Sequence, residues 1–445
     1  MREKIIYSER CWVDGQLQPA TVWIEDDIII KVRKQLRRNS DDVFNTGNKI
    51  LMPGVIDAHV HVNEPGRTDW EGFDTATRAA AAGGITTIVD MPLNASPVTI
   101  TLPALQQKLA STTDKLHVNC GFYGGLVTGS ESELEALING GILGVKAFLT
   151  HSGIDEFPNV TALEIDQIMP LLKKYNLPLL VHCELSDEDH NQAHSVHPTS
   201  YNAYLSSRPK EWENKAIQMM IDLCRKHNCK THIVHVSSAE ALERIKKAKQ
   251  EDLPLTAETC PHYIFFNSEE IPDAKTIYKC APPIRGKENN EQLKRALADG
   301  TLDFIASDHS PAPPSIKEIE SGNFQKAWGG IAGLQFLLPA SWTSLKQEMN
   351  LENFIPLLTE HPAQFLNINH KKGFIKEGYD ADLVVWLPEE SFTVKEESIL
   401  HKHKISPYVS RTLFGKVYDT YVNGEHVFGN DKLIHKNHGK WIMTR

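Results

Sequence analysis

Short apolar runs recur through the middle of the chain, each closing on polar residues and each separated from the next by a stretch with helical spacing. Eight can be counted: KILMPGVIDAH (49–59), ITTIVDM (85–91), HVNCGFY (117–123), GVKAFL (144–149), LPLLVHCE (177–184), THIVHVSS (231–238), PLTAETCPHY (254–263) and DFIASDHS (303–310). Continuous apolar strands that alternate with helices read as parallel strands covered by helices. Segments 161–175, 211–228 and 238–250 supply good helix candidates between them. Eight such units predict an α/β fold, a (β/α)8 TIM barrel with its active site at the C-terminal ends of the strands. The two ends of the chain carry a different pattern. Residues 21–32 (TVWIEDDIIIKV), 380–387 (DADLVVWL) and 418–429 (YDTYVNGEHVFG) read as strands, and Asn423-Gly424 is a hairpin signal. The expected organisation is a small β-sandwich domain built from residues 1–48 and 380–445, with the barrel, 49–379, inserted between them.

Composition then narrows the function classes. The chain has 445 residues, 41% hydrophobic and 23% charged, enough for a large core and too apolar for global disorder. A net charge of −10 argues against nucleic acid as a partner, which normally demands a basic face. The apolar start is broken by Glu9 and Arg10, unlike a secretory signal, and no run reaches the length of a membrane helix. A cytoplasmic protein with no membrane partner is expected. Seven cysteines (11, 120, 183, 224, 229, 260 and 280) show no CxxC pairing, which fits reduced thiols.

Polar residues at the ends of the apolar runs carry the chemistry. Side chains two apart on a strand share a face, so His59 and His61 project together at the barrel mouth. Imidazole is the commonest metal ligand, although a lone His-x-His can equally be two satisfied polar residues. His182 and His235 end two further strands, and four histidines on three strands point to metal. Asp308 closes the last strand. It could cap a helix, but opposite histidines a carboxylate can bind metal through one oxygen and take a proton through the other. His309 faces the other way and reads as structural, and Cys183 should face away from the site. Lys146 lies inside an apolar strand. A buried ammonium must pair, lower its pKa or be chemically changed. Its neutral amine could take up CO2 to give a two-oxygen carbamate.

Pro53-Gly54-Val55-Ile56-Asp57-Ala58-His59-Val60-His61, then Lys146, His182, His235 and Ser307-Asp308-His309, resemble the amidohydrolase superfamily in its cyclic-amidase branch of dihydroorotases, hydantoinases and allantoinases. The likeness runs on to GFIKEGYDADLVVW (373–386). It implies a binuclear centre in which His59, His61 and Asp308 bind one divalent metal and His182 and His235 the other. N6-carboxylated Lys146 and a hydroxide would bridge the two. Zinc is the first expectation, with cobalt, iron or manganese also suited to such ligands. Asp308 would act as general base and then acid. Relatives in this branch are often homotetramers.

The residues that read the substrate separate the subgroups. Dihydroorotases resemble His-x-His-Leu-Arg-Glu-Pro-Gly, and their Arg clamps a carboxylate; here Asn63 stands in that place. Their KxNPP Asn and DHAPH His become Ala281 and Ala312. Hydantoinases show an oxyanion-binding Tyr five residues after the lysine, where this chain has His151, either a replacement donor or a loop residue. The segments Asn63–Phe73 and Asp90–Asn94 resemble the allantoinase pattern, which implies hydrolytic opening of the neutral hydantoin ring of allantoin to allantoate. Asn63, Asn94 and Ser310 are the candidate substrate contacts, since amides and hydroxyls suit a ring of amide donors and acceptors. Arg67, Asp69 and Trp70 read equally as a loop ion pair packed by an aromatic. The alternatives are a hydantoinase acting on another ureide and a non-catalytic scaffold of the same fold.

Overall fold

A computed structural model describes residues 3–34, 43–186 and 197–444. The eight apolar runs become the eight parallel strands of a barrel: Val55–Val60, Ile85–Asp90, Asn119–Phe122, Val145–Phe148, Leu179–His182, Thr231–Ile233, Leu255–Thr259 and Phe304–Ile305. The eighth strand meets the first where His61 N donates to the carbonyl of His309 at 2.8 Å. The run 49–59 holds two strands, not one. Ile50–Pro53 belongs to the terminal sheet and Val55–Val60 to the barrel. Gly54 joins them under the side chain of Thr86, where a Cβ would come within 2.1 Å of Oγ1.

The helices form where apolar residues recur on one face. Ala162–Lys174 opens on a Thr161/Glu164 capping box and buries Ile165, Ile168, Met169 and Leu172. Lys210–His227 buries Trp212, Ala216, Ile217, Met220, Ile221 and Cys224, and ends on Asn228 in the left-handed region. Leu242–Gln250 covers the seventh strand.

The terminal β domain is a single nine-stranded sheet. Its strands come from Glu3–Val13, Gln16–Glu25, Ile28–Arg33, Val43–Asn45 and Ile50–Pro53 at one end, and from Leu383–Thr393, Thr412–Val422, Glu425–Gly429 and Lys432–Leu433 at the other. Register shifts at Ser8/Cys11 and Leu387/Ser391 are bulges of the kind that bend a long sheet over its own core, here Ile6, Val22, Leu51, Leu383 and Val385. Asn423 and Gly424, both at positive φ, make the hairpin turn. Two strands cross the division drawn from the sequence. Ile50–Pro53 pairs with Leu383–Trp386, and Trp441–Ile442 pairs with Cys120–Gly121 of the third barrel strand. No helix among the described residues is long and apolar enough to cross a membrane. All seven cysteines are buried and free.

Candidate metal centre

Five of the barrel strands deliver polar side chains to one point at their C-terminal ends. His59 and His61 leave the first strand, Lys146 the fourth, His182 the fifth, His235 the sixth and Asp308 the eighth. All six are buried. Asp308 Oδ1 lies 3.1 Å from His59 Nε2 and 3.3 Å from His61 Nε2. His182 Nδ1 and His235 Nε2 face each other at 3.0 Å. Lys146 Nζ has no hydrogen-bond partner among the described residues and sits 5.0 Å from the ring centroid of Phe148, on which His182 stacks. His235 and Asp308 stand at φ 39° and 44°, a backbone region rare for side-chain-bearing residues and common at functional sites.

The site's electrostatics suit cation binding. Burial pushes His61 down to about 4 and also lowers His182 and His235, so these imidazoles are neutral and offer lone pairs. Burial acts the same way on His59, but the Asp308 and Glu258 carboxylates outweigh it and raise this histidine to about 9. Its proton is the one a cation would displace. Burial opposes ionisation of Asp308, yet His59 and His61 hold its carboxyl well below the usual range. Burial pushes Lys146 down to about 8, so a useful fraction is free amine near neutral pH. An all-nitrogen and oxygen donor set around a buried amine that meets no partner among the described residues fits a pair of divalent cations bridged by a modified lysine.

Several residues of the site stay silent in the sequence. Glu258 accepts from His59 Nδ1 at 2.5 Å, and Glu184 accepts from His182 Nε2 at 2.7 Å. Carboxylates in this position fix the tautomer of a metal-binding imidazole. Arg208 pairs with Glu184 and, against burial, draws it down to about 2. Cys260 and His262 form a second potential ligand group around the same Asp308.

The centre opens into a cavity of about 790 Å³. Asn94 and Ser310 line it; Asn63 lies behind the wall, where its amide donates to the carbonyl of Pro311 at 3.3 Å. The Asn94 amide is 3.3 Å from His61 Nδ1. Ser310 Oγ accepts from Trp328 Nε1 at 3.2 Å. Arg67 pairs with Glu156 at 2.7 Å, not with Asp69, and its guanidinium lies 5.5 Å from the Trp70 ring centroid. Trp70 meets Trp328 edge-on at 4.9 Å. His151 is exposed and bonded within its own loop, to Asp155 at 3.3 Å and from Gly153 N at 3.1 Å. His309 accepts from Gly333 and Leu334 backbone amides and so serves the fold, and Cys183 lies in the core.

Comparison with known proteins agrees with this geometry. The Amidohydrolase family matches residues 50–427. The chain is 42% identical to an allantoinase of Arabidopsis thaliana, over 96% of this chain and 88% of that protein. It is 35% identical to an allantoinase of Saccharomyces cerevisiae, over 97% and 96%. Among solved structures, an L-hydantoinase (dihydropyrimidinase) from Arthrobacter aurescens superposes with a TM-score of 0.92 at 28% identity, covering 99% of each chain.

Proposed function

The chain belongs to the amidohydrolase family, and from that premise we propose that it is an allantoinase, opening the hydantoin ring of allantoin to allantoate by hydrolysis. The observation that carries this reading is the convergence of His59, His61, His182, His235 and Asp308 on the amine of buried Lys146, which has no hydrogen-bond partner among the described residues. His59, His61 and Asp308 would hold one cation, His182 and His235 the other, with Lys146 between them as its N6-carboxylated form. The lysine lone pair bonds to the carbon of CO2 and the amine loses one proton, which leaves an anion with two donor oxygens. When bound, two divalent ions polarise a ring carbonyl and bring the pKa of a water from 15.7 to about 7. Zinc is the ion we assign, to be checked by elemental analysis.

The chain's own residues do the rest. Asp308, ionised by its histidine neighbours, takes the proton of the attacking water and returns it to the leaving ring nitrogen. Asn94 and Ser310 offer amide and hydroxyl groups from the wall to a neutral ureide, while Asn63 supports the loop that follows Asp308. Arg67, Arg208 and Lys279 of the wall are each committed to protein partners, Glu156, Glu184 and the Ala327 carbonyl. Lys326 also lines the cavity and is exposed, so the case against dihydroorotate rests on Asn63, Ala281 and Ala312, which stand where that subgroup has Arg, Asn and His. Trp70 and Trp328 close one side against water. We assign this chemistry to the barrel, and a cytoplasmic homotetramer as the working form, to be measured by light scattering.

The test is a panel of allantoin, hydantoin, dihydrouracil and dihydroorotate on metal-reconstituted protein with bicarbonate, with Lys146→Ala as control. Turnover of allantoin alone, lost in the control, is expected. Turnover of hydantoin or dihydrouracil instead would refute the substrate while leaving the centre standing. No turnover of any would move the chain toward a scaffold role.

A further inference from the structure

His59 is the anchor of a buried column that leads away from the cavity. Its Nε2 faces Asp308 and the cation site, and its Nδ1 lies 2.5 Å from Glu258 Oε1. The other oxygen of Glu258 is 3.2 Å from His232 Nε2. His232 Nδ1 lies 2.8 Å from Thr256 Oγ1, its partner residue in the parallel pairing of the sixth and seventh strands. The His232 ring stacks on Phe304 at 5.1 Å and 2° and rests against Phe365 at 4.3 Å. His59, Glu258 and His232 are all at most 1% exposed.

One proton arrangement fits the column. The Thr256 hydroxyl donates to His232 Nδ1, so the proton of His232 sits on Nε2 and points at Glu258. Ionised Glu258 then accepts from His59 Nδ1 and meets the His232 proton only as a polar contact at 3.2 Å, short of hydrogen-bond alignment, so a proton of His59 is held on Nδ1. A cation seated there would take the place of the proton that otherwise lies between His59 Nε2 and Asp308, and would leave the Nε2 lone pair free to hold it. The reverse tautomer would set a bare nitrogen against a buried carboxylate, which is costly.

We propose that Glu258 is a positioning residue for His59, and that His232 acts through Glu258 to keep it in that role. This rests on the reading that His59 binds a metal ion. The column therefore governs one of the two cation positions and leaves the His182/His235 position, which has its own carboxylate in Glu184, untouched.

The experiment compares the full-length protein with Glu258→Gln, His232→Gln and the double variant. Zinc is withdrawn by a competing chelator, and downfield imidazole N–H protons are recorded by NMR. Wild type should hold two equivalents. Glu258→Gln should weaken one of them by about 10–100-fold and leave the other and KM unchanged. His232→Gln should weaken the same equivalent by less, and the double variant should be no worse than Glu258→Gln alone, because the two residues act in series. A downfield N–H resonance should be present in wild type, absent in Glu258→Gln and displaced in His232→Gln. Should Glu258→Gln not fold, Thr256→Val, which removes only the terminal hydroxyl, should still displace that resonance. Wild-type zinc affinity in Glu258→Gln, equal loss of both equivalents, additive effects in the double variant or an unmoved resonance would overturn the proposal. A wild type that holds no zinc would overturn the site reading and this inference with it.

Discussion

Lys146 is the residue whose chemistry is most dependent on its surroundings. Burial lowers its pKa to about 8, and no acceptor among the described residues meets its Nζ. Intact mass spectrometry under native conditions with bicarbonate should show the mass of one added CO2, absent in Lys146→Ala. That variant should also lose the cations held jointly with it. Asp308→Asn keeps the size of the side chain and removes the proton acceptor. We expect kcat to fall by about 10²–10⁴-fold, the usual share of general acid–base catalysis. A second buried carboxyl, Glu213, reports on stability instead. Its Oε1 accepts from Ser237 N and Ser238 N at 2.7 and 2.9 Å. Burial pushes it up from 4.5 to about 7, despite Arg285 nearby. Between those values the folded state keeps a proton that the unfolded state has lost. Its contribution to stability is therefore full below about 4.5, declines as pH rises toward 7 and is flat above. Urea midpoints should show part of this decline in wild type and less of it in Glu213→Gln.

At the scale of elements, three loops close over the cavity and are tied side chain to side chain. Arg67 joins the loop after the first strand to Glu156 of the loop after the fourth. Trp328 joins the segment after Asp308 to Trp70 and Ser310. Lys317, fully buried, holds that segment in shape by donating to the carbonyls of Lys279 at 2.7 Å, Trp328 at 3.0 Å and Gly330 at 2.5 Å. Lys317→Met leaves three carbonyls without their shared donor, at roughly 1–3 kcal/mol for each that finds no other partner. The expected result is a KM several-fold higher, a smaller change in kcat and faster proteolytic cleavage between 313 and 328. Unaltered KM with lowered stability would assign Lys317 to the fold alone. These ties also mark the limit of what the sequence discloses. Five residues of the centre are legible because each stands at or just past the end of an apolar strand, where a polar side chain stands out and has one direction to point, and Lys146 because it is a cation inside one. Glu258 and His232 sit in the same runs, yet the meaning of Glu258 lies in a partner 199 residues away across the barrel interior and that of His232 in Glu258 on the neighbouring strand. No spacing rule reaches such pairs. Asn63 shows the converse: its place beside His61 suggests a substrate contact, while its left-handed backbone turns the amide toward Pro311.

At the scale of the molecule, the question is how a sheet made from both ends of the chain stays fixed to a barrel it does not complete. Part of the joint is apolar. Gly84 packs so closely on Val384 that a Cβ would lie 2.7 Å from its Cγ2, and Thr420 Oγ1 donates to the Ala81 carbonyl at 2.7 Å. The other part is a buried hub around Asp382, just before the strand Leu383–Thr393. Asp382 accepts from Lys372 Nζ at 2.5 Å, from Asn119 Nδ2 at 3.0 Å and from Asn423 N at 2.7 Å. Asn423 in turn donates to Asn119 Oδ1 at 2.9 Å and to the carbonyl of His438 at 2.7 Å. Asn119 opens the third barrel strand, at the end opposite the metal centre, where residues of a barrel serve stability and not chemistry. Removing one partner of a buried ion pair typically costs about 3–5 kcal/mol, because the other is left uncompensated. Lys372 also pairs with Asp380 at 2.9 Å, so the cost of Asp382→Ala should fall at the lower end of that range. Asp382→Asn, which keeps one acceptor oxygen, should cost less. Since the hub joins two bodies, the loss should be local first. Hydrogen exchange of the strands Glu3–Val13 and Leu383–Thr393 should quicken in Asp382→Ala before that of Val145–Phe148, with zinc content and kcat unchanged at 25 °C. Uniform quickening would mean that sheet and barrel unfold as one unit. Wild-type exchange throughout would mean that the apolar seam at Gly84 carries the joint by itself.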